Sequence, residues 1–488
     1  MERLVIGMHY KRLLWLSKAE AITLLLVICV YGANRSLWPG DCFNKLETDL
    51  CIANIQWLIS ALLLIILVRS VYSNAGKADR RFSLLGPYVW LLGAILAGAV
   101  VYILQYSDSF HTTQAVSWFG GAALGQSLVS RLRRGTRVDR ALLLFTIVTL
   151  IIILCVGEVL SIQYGIVFKY HDHLRWSGLL DNPNIWGLLM GTGIVLAEGL
   201  ALSTLLFLVF GETESICGRW TVNNYWNWIF VFLCFSGVIL YSRGLCRSYS
   251  RGAWVATACG MAYLVIQLFK IQRFDLEQQL ERTNKQVINS YNMCISWFQK
   301  KRFLFFVVLI SVAVLTFWQF RHSKHETVTS RIYSAANMND FSWRNRIAAW
   351  QGAFQIIAEH PWLGAGWNQP KPLYENYYLS PKLDESTAIE MNDYLLLGAT
   401  LGVPVLFSFV MYIWLSLAQK SEVKSREPDL TKSDSGPWNL GLLQTACRAG
   451  AIALAVGFWF DGGLFKLATA SIFWILLEMG RYNLRQTT

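Results

Sequence analysis

Residues 185–210, IWGLLMGTGIVLAEGLALSTLLFLVF, hold a single charged side chain, Glu198, in an otherwise apolar run. An α-helix rises about 1.5 Å per residue and the hydrocarbon core of a bilayer is about 30 Å thick, so roughly 20 such residues make one span. Comparable runs recur along the chain, at 19–33, 55–72, 83–105, 114–130, 141–160, 226–242, 252–270, 303–320, 393–418, 441–460 and 464–480, about twelve with the first. With 54% hydrophobic and 15% charged residues among 488, and a mean hydropathy of +0.39, an ordinary soluble enzyme is excluded. The expectation is an all-α polytopic protein, one integral membrane domain over 1–488. Its 21 Trp suit rings anchored at the membrane interface and surfaces that stack on flat ligands.

The net charge of +12 raises the question of nucleic acid, but in a membrane protein the position of each cation matters more than the sum. Arg3, Lys11, Arg12 and Lys18 precede the first run, which puts the N-terminus in the cytoplasm. Alternate loops then carry Lys77, Arg80 and Arg81; Arg131, Arg133, Arg134, Arg137 and Arg140; Lys270 to Arg302; and Lys420 to Lys432. All fall on one side, while the short loops 106–113 and 461–463 hold no Lys or Arg, so both termini are expected inside. The first run lacks a small-residue cleavage site and reads as a permanent span rather than a removable signal peptide. The bilayer is thus the first partner, and no nucleic acid is expected. Cys29, Cys155, Cys234, Cys259 and Cys447 lie in spans as small apolar side chains, whereas Cys42 and Cys51, in the first outward loop, either close a disulfide or stay free.

Four polar segments stand apart. The outward loop 161–184 contains HDHLRWSGLLDNPN. The inward segment 271–302 spaces Leu276, Leu280, Val287, Tyr291 and Phe298 as an amphipathic helix on the membrane or a partner, or as a plain surface helix. The inward connector 419–440 is punctuated by Pro and Gly. The largest, 321–392, is outward. Within it Ser342 is placed to cap a helix whose Trp343, Ile347, Trp350, Phe354 and Ile357 form a stripe, ending before Pro361 and the Gly364–Gly366 turn. Packing is the simpler reading of that stripe, and Arg346 borders it.

These outward elements, with SRGLCRSYSRG at 242–252, place Arg175, Arg243, Arg247, Arg251, Arg344 and Arg346 on the side normally poor in cations. A multiply charged anion is one reason, because guanidinium stays protonated and forms two-pronged hydrogen bonds with phosphate. For Arg243 and Arg247, snorkelling to lipid phosphates is the competing reading.

RWSGLLDNPNIWG (175–187), SRGAWVA (250–256), RIAAWQGAFQIIAEHPWLGAGW (346–367) and MNDYLLLGATLGVP (391–404), in that order, resemble the O-antigen ligase and O-antigen polymerase superfamily. The likeness covers roughly residues 170 to 420. It implies a bacterial inner-membrane glycosyltransferase that moves a glycan from undecaprenyl diphosphate, on the periplasmic face, to lipid A core or to a growing saccharide. It further implies that Arg175, Arg251 and Arg346 hold the donor diphosphate, with Asn182 and Asn184 as the NPN pair and Asn392 in the last motif; capping of the following helix is the alternative for Asn182 and Asn184. Family members often carry a His directly before the Asn of the last motif, the usual candidate for activating the acceptor hydroxyl. Here that residue is Met391, which cannot take a proton. Glu390 is the nearest replacement and Asp393 the next, with His360, His322 and His325 further away.

No Asp-x-Asp pair or His cluster appears in the outward loops, so arginines rather than a metal are expected to balance the diphosphate, and no cofactor is implied. Glu198, Arg448 and Lys466 lie inside spans and either pair with one another or face a lipid-phosphate groove. A transporter or flippase of a lipid-linked glycan shares the twelve-span plan, but no repeat relates 1–245 to 246–488. A subunit without chemistry is a third reading, should Met391 mark a dead site.

Overall fold

The structure, a computed structural model, describes residues 65–68, 87–104, 113–132, 138–170, 173–178, 180, 182–210, 222–283, 341–379, 386–418 and 440–481. The spans read at 19–33 and 303–320, Cys42, Cys51, His322, His325 and the connector 419–439 lie outside the described residues. The chain is mostly helical: α1 (Pro87–Leu104), α2 (Thr113–Leu132), α3 (Val138–Tyr164), α4 (Pro183–Phe210), α5 (Val222–Ser248), α6 (Arg251–Thr283), α7 (Phe341–Glu359), α8 (Asp393–Leu401), α9 (Val403–Ala418), α10 (Leu440–Phe460) and α11 (Leu467–Arg481). Short turns of helix at Pro370–Leu373, Tyr374–Tyr378 and Ser386–Met391 join α7 to α8.

Among the described residues four helical stretches are long and apolar enough to cross a membrane: Pro87–Leu104, Pro183–Leu205, Asn227–Ser248 and Leu442–Phe460. Thr146–Ile162 and Val403–Ala418 are shorter apolar helices. The first-quoted run is the centre of the bundle. Every residue of its most apolar window is buried, and α4 packs against α5, α6 and α10. It can be apolar all round because it meets protein on every side. Around it, α11 packs on α2 and α10, and α9 packs on α1.

Several expectations change. The all-α reading holds for the described residues with one addition, within 161–184: β1 (Ile166–Tyr170) and β2 (His173–Gly178) form an antiparallel hairpin, with a register irregularity at Ile166/Val167. The run 393–418 is two helices. Gly402 breaks it at φ +87°, a left-handed backbone that L side chains rarely adopt, and a Cβ there would lie 2.4 Å from the Trp362 carbonyl oxygen. Of the segment 271–302 read as amphipathic, residues 271–283 continue α6, which runs from Arg251 to Thr283, and 284–302 lie outside the described residues. Lys466 lies in the turn ahead of α11 rather than inside a span. Glu198 has no hydrogen-bond partner among the described residues, while Arg448 Nε donates to the Gly480 carbonyl (2.7 Å), so the proposed pairing of these charges does not occur.

The stripe assigned to α7 is also shifted. Its buried face is Asn345, Arg346, Ala349, Gly352, Ala353 and Ile356, whereas Ile347 and Phe354 are exposed. Small residues win the interior because the Tyr374 ring lies so close that a Cβ on Gly352 would meet it at 2.5 Å. The segment after α7 then dips into the bundle: Trp367 Nε1 donates to the Gly98 carbonyl (3.2 Å), and Ala365 and Gly366 N–H groups donate to the carbonyls of Ala399 and Thr400 (2.7 and 2.9 Å).

Candidate active site

The site grows from the link between α5 and α6, Ser248–Tyr249–Ser250–Arg251. Tyr249 sits at φ +50°, unusual for a residue with a Cβ. Its neighbours fix it there: Ser248 Oγ donates to the Leu245 carbonyl (2.7 Å) and accepts from Ser250 N (3.3 Å), and Ser250 Oγ caps α6 by accepting from Ala253 N (3.1 Å). Sequence alone reads Ser-Arg-Gly as a common tripeptide, yet here each residue is constrained. Ser250 caps, Arg251 opens the helix, and Gly252 leaves room for a carboxylate.

That carboxylate is Asp461, in the turn after α10. Ser250 Oγ donates to Asp461 Oδ2, and Arg346 Nη2 donates to Asp461 Oδ1 at 3.1 Å. A Cβ on Gly252 would lie 2.4 Å from Asp461 Oδ2, so the carboxylate occupies the space of the missing side chain. It also sits against the first turn of α6, where unpaired N–H groups make the local potential positive. Arg346 and Asp461 are 8% and 3% exposed, so this is a buried ion pair. The guanidinium is not saturated, because its buried Nε has no hydrogen-bond partner among the described residues.

Arg175 reaches the same turn from the hairpin. Its Nε donates to the Ser248 carbonyl (2.9 Å) and its Nη2 to Asn184 Oδ1. The two asparagines of the NPN turn therefore divide their roles. Asn182 Oδ1 accepts from Asn184 N (2.8 Å) and Ile185 N (3.5 Å) and caps α4, whereas the Asn184 side chain orients Arg175. The three arginines singled out by the motifs thus converge on one four-residue turn: Arg175 through Ser248, Arg346 through Asp461 and Ser250, and Arg251 within it.

A second ion pair, with a buried carboxylate and a half-buried guanidinium, lies behind the hairpin. Arg243 Nη1 donates to Glu158 Oε1 (2.9 Å), Trp186 Nε1 donates to Glu158 Oε2 (3.1 Å), and the Arg243 guanidinium stands 5.9 Å from the centre of the Trp176 ring. Arg243 is therefore held by protein rather than extended to lipid phosphates, while Arg247 is exposed at the end of α5. Among the described residues the two carboxylates are thus each held by one guanidinium, Glu158 by Arg243 and Asp461 by Arg346, while Arg175 bonds to neutral groups, the Ser248 carbonyl and Asn184 Oδ1.

The candidate acid–base residues separate sharply. Glu390, at the end of the helical turn Ser386–Met391, keeps a third of its side chain exposed (34%), with Lys371 Nζ 3.5 Å from its Oε1. Asn392 caps α8 by accepting from Leu395 N (3.1 Å), and its buried Nδ2 has no partner among the described residues. Asp393, in the short helix ahead of the apolar α9, is fully enclosed. Its Oδ2 accepts from Leu464 N (2.7 Å). It locks the turn after α10 in place, whereas the Glu390 carboxylate stays accessible. His360 is exposed at the end of α7. Among the described residues no group of three or more His, Cys, Asp or Glu side chains is arranged to hold a metal ion.

Asp461 and Glu158 were not singled out from sequence. The one available signal for Asp461 was that it is the sole titratable group in 461–463, the short loop marked only for lacking Lys and Arg. Glu158 sits in an apolar run with nothing to point to Arg243, 85 residues away.

Residues 236–410 match the family model described as O-antigen ligase. The match takes in Arg251, Arg346, Glu390 and Asn392, and leaves Arg175, Asn182, Asn184 and Asp461 outside it. No curated protein and no solved structure matches the chain.

Proposed function

We propose, for a chain whose residues 236–410 carry the domain of the O-antigen ligase and polymerase superfamily, that the Ser248–Arg251 turn is the donor-diphosphate site of a membrane glycosyltransferase. The donor is a glycan on undecaprenyl diphosphate, the acceptor is lipid A core or a saccharide hydroxyl, and the working face is periplasmic in a bacterial inner membrane. The observation that carries the reading is the convergence of Arg175, Arg251 and Arg346 on one turn, Arg175 through the Ser248 carbonyl, Arg346 through Asp461 and Ser250, and Arg251 by its place in the chain, with the Arg346 Nε left as a donor without a partner among the described residues.

The chemistry follows from these arginines. The acceptor oxygen forms a bond to the anomeric carbon as the bond from that carbon to the diphosphate oxygen breaks. The electron pair leaves with the diphosphate, whose growing charge the guanidinium groups stabilise through charge-assisted hydrogen bonds in a partly water-excluded site. Arg346 is the catalytic arginine in this account, its partnerless Nε being a donor available to the leaving group. Arg175 and Arg251 bind the diphosphate, with Asn184 orienting Arg175, and Asn392 offers its Nδ2 to the substrate. Glu390 takes the acceptor proton. A stabilised diphosphate leaves readily, so a weak carboxylate base in place of the family His is sufficient. One displacement inverts the anomeric centre. No metal ion takes part, since guanidinium supplies the positive charge.

The test is transfer by purified protein from a polyprenyl-diphosphate glycan in the presence of EDTA. Released polyprenyl diphosphate together with a longer or newly attached glycan, lost in Arg251→Ala and Arg346→Ala, supports the reading, and product size distinguishes polymerisation from ligation. Absence of release with every acceptor, together with movement of the donor across liposomes, replaces the transferase with a transporter.

A further inference from the structure

The chain turns sharply between α7 and the bundle at Pro361–Trp362–Leu363, and this elbow presents apolar side chains outward. Trp362 is 77% exposed and Leu363 49% exposed. An exposed Trp–Leu pair at the tip of a turn has a substantial cost in water. Its position along the bundle identifies what covers it.

Two outer helices mark the surface around the elbow. On α9 the exposed large apolar residues are Val403, Phe407, Val410 and Trp414, spaced by four, three and four along one face, and on α1 they are Leu96, Val100, Ile103 and Leu104. The two helices pack together, with the Trp90 ring edge-on to Phe407 at 5.4 Å. An apolar outer face of this kind, on helices around a central span, is a lipid-facing surface.

The elbow is fastened to the head of that face. Val403 N donates to the Pro361 carbonyl (2.8 Å), and Gly402 lies so close to Trp362 that a Cβ would sit 2.4 Å from its carbonyl oxygen. The level is set by α1. Leu401 and Trp367 both pack on Gly98, yet the apolar exposed face of α1 continues to Leu104, about 9 Å further at 1.5 Å per residue toward the C-terminal end of α1, which the charge pattern reads as the same outward side as the site. Measured along α1, the elbow therefore stands below the upper edge of the lipid-facing surface.

We propose that the Pro361–Leu363 elbow is a wedge immersed in the leaflet on the site's side, with Trp362 and Leu363 in contact with phospholipid acyl chains. The wedge ties the floor of the α7 segment, and with it Arg346, to the bilayer. It depends on the chain being a membrane protein and not on the donor or the reaction.

The test replaces single residues by photoreactive benzoylphenylalanine in the full chain in phospholipid nanodiscs, followed by mass spectrometry of lipid adducts after illumination. Trp414 serves as the lipid-facing reference, and the exposed, charged Glu375 as the water-facing one. Acyl-chain adducts at 362 and 363 with a yield like that at 414, and none at 375, are expected. Two elbow positions are used so that the outcome does not hang on one variant. Adducts at 414 without any at 362 or 363 would overturn the proposal, as would equal yields at all four positions. Loss of transfer activity alone would leave the adduct pattern intact, so failure of the transferase reading is separable from failure of the wedge.

Discussion

Removing Asp461 should reveal how the site is held. Asp461→Ala takes away the acceptor for Arg346 Nη2 and for the Ser250 hydroxyl. Arg346 would be left buried with neither Nη2 nor Nε partnered, and uncoupling a buried ion pair in this way costs about 3–5 kcal/mol. The abandoned Ser250 hydroxyl adds about 1 kcal/mol. Arg346→Ala is milder by about that last amount, because Asp461 keeps the Ser250 hydrogen bond and the positive end of α6. In the double variant neither charge is stranded. Its loss should therefore fall short of the sum of the two single losses by roughly 2–3 kcal/mol, at the upper end of coupling between contacting residues. The assay is unfolding of the four proteins in one detergent under reversible denaturant titration. Strictly additive losses, or an Arg346→Ala loss exceeding that of Asp461→Ala, would refute the pairing as the link between α7 and the Ser248–Arg251 turn.

Gly252→Ala puts a Cβ 2.4 Å from Asp461 Oδ2 and 2.7 Å from Phe460 Cβ, so the turn after α10 must move; a stability loss of about 1–3 kcal/mol, read by the same titration, should accompany lost transfer. Asn182→Ala removes only a helix cap and should cost about 1 kcal/mol with donor affinity unchanged, whereas Asn184→Ala frees Arg175 and should raise the donor KM with little effect on stability. Glu390→Gln should lower kcat by roughly 100-fold if it takes the acceptor proton, while its half-exposed pairing with Lys371 is worth less than about 1 kcal/mol to the fold; an unchanged kcat would remove Glu390 from the mechanism.

Hydropathy made the bundle legible, and its central helix most of all, because an uninterrupted apolar run specifies burial in lipid or protein regardless of neighbours. It could not distinguish the two environments. The run 393–418 is apolar on both sides of Gly402, and only the folded backbone, at φ +87° beside the Trp362 carbonyl, explains why a glycine is required there. The hairpin was hidden by its length, six residues in the longer strand, beside a motif whose Gly and Pro read as a loop. On α7 the large apolar residues suggested the inward stripe, but small ones were needed inside for the close approach of Tyr374. The arginines were visible because cations in loops that the charge pattern reads as outward break a charge rule. Asp461 and Glu158 were not, since a lone acid at a span end follows no rule until its partner, more than eighty residues away in either case, is placed beside it.

The central claim is that Arg175, Arg251 and Arg346 together bind a diphosphate, and the most direct measurement is equilibrium binding of farnesyl diphosphate to purified protein in nanodiscs with EDTA present. Each Arg→Ala variant should bind about 10- to 100-fold more weakly, the loss of one or two charge-assisted hydrogen bonds, and farnesyl monophosphate should bind less well than the diphosphate to the unaltered protein. Equal affinities for wild type and all three variants, or no preference for diphosphate over monophosphate, would contradict the account.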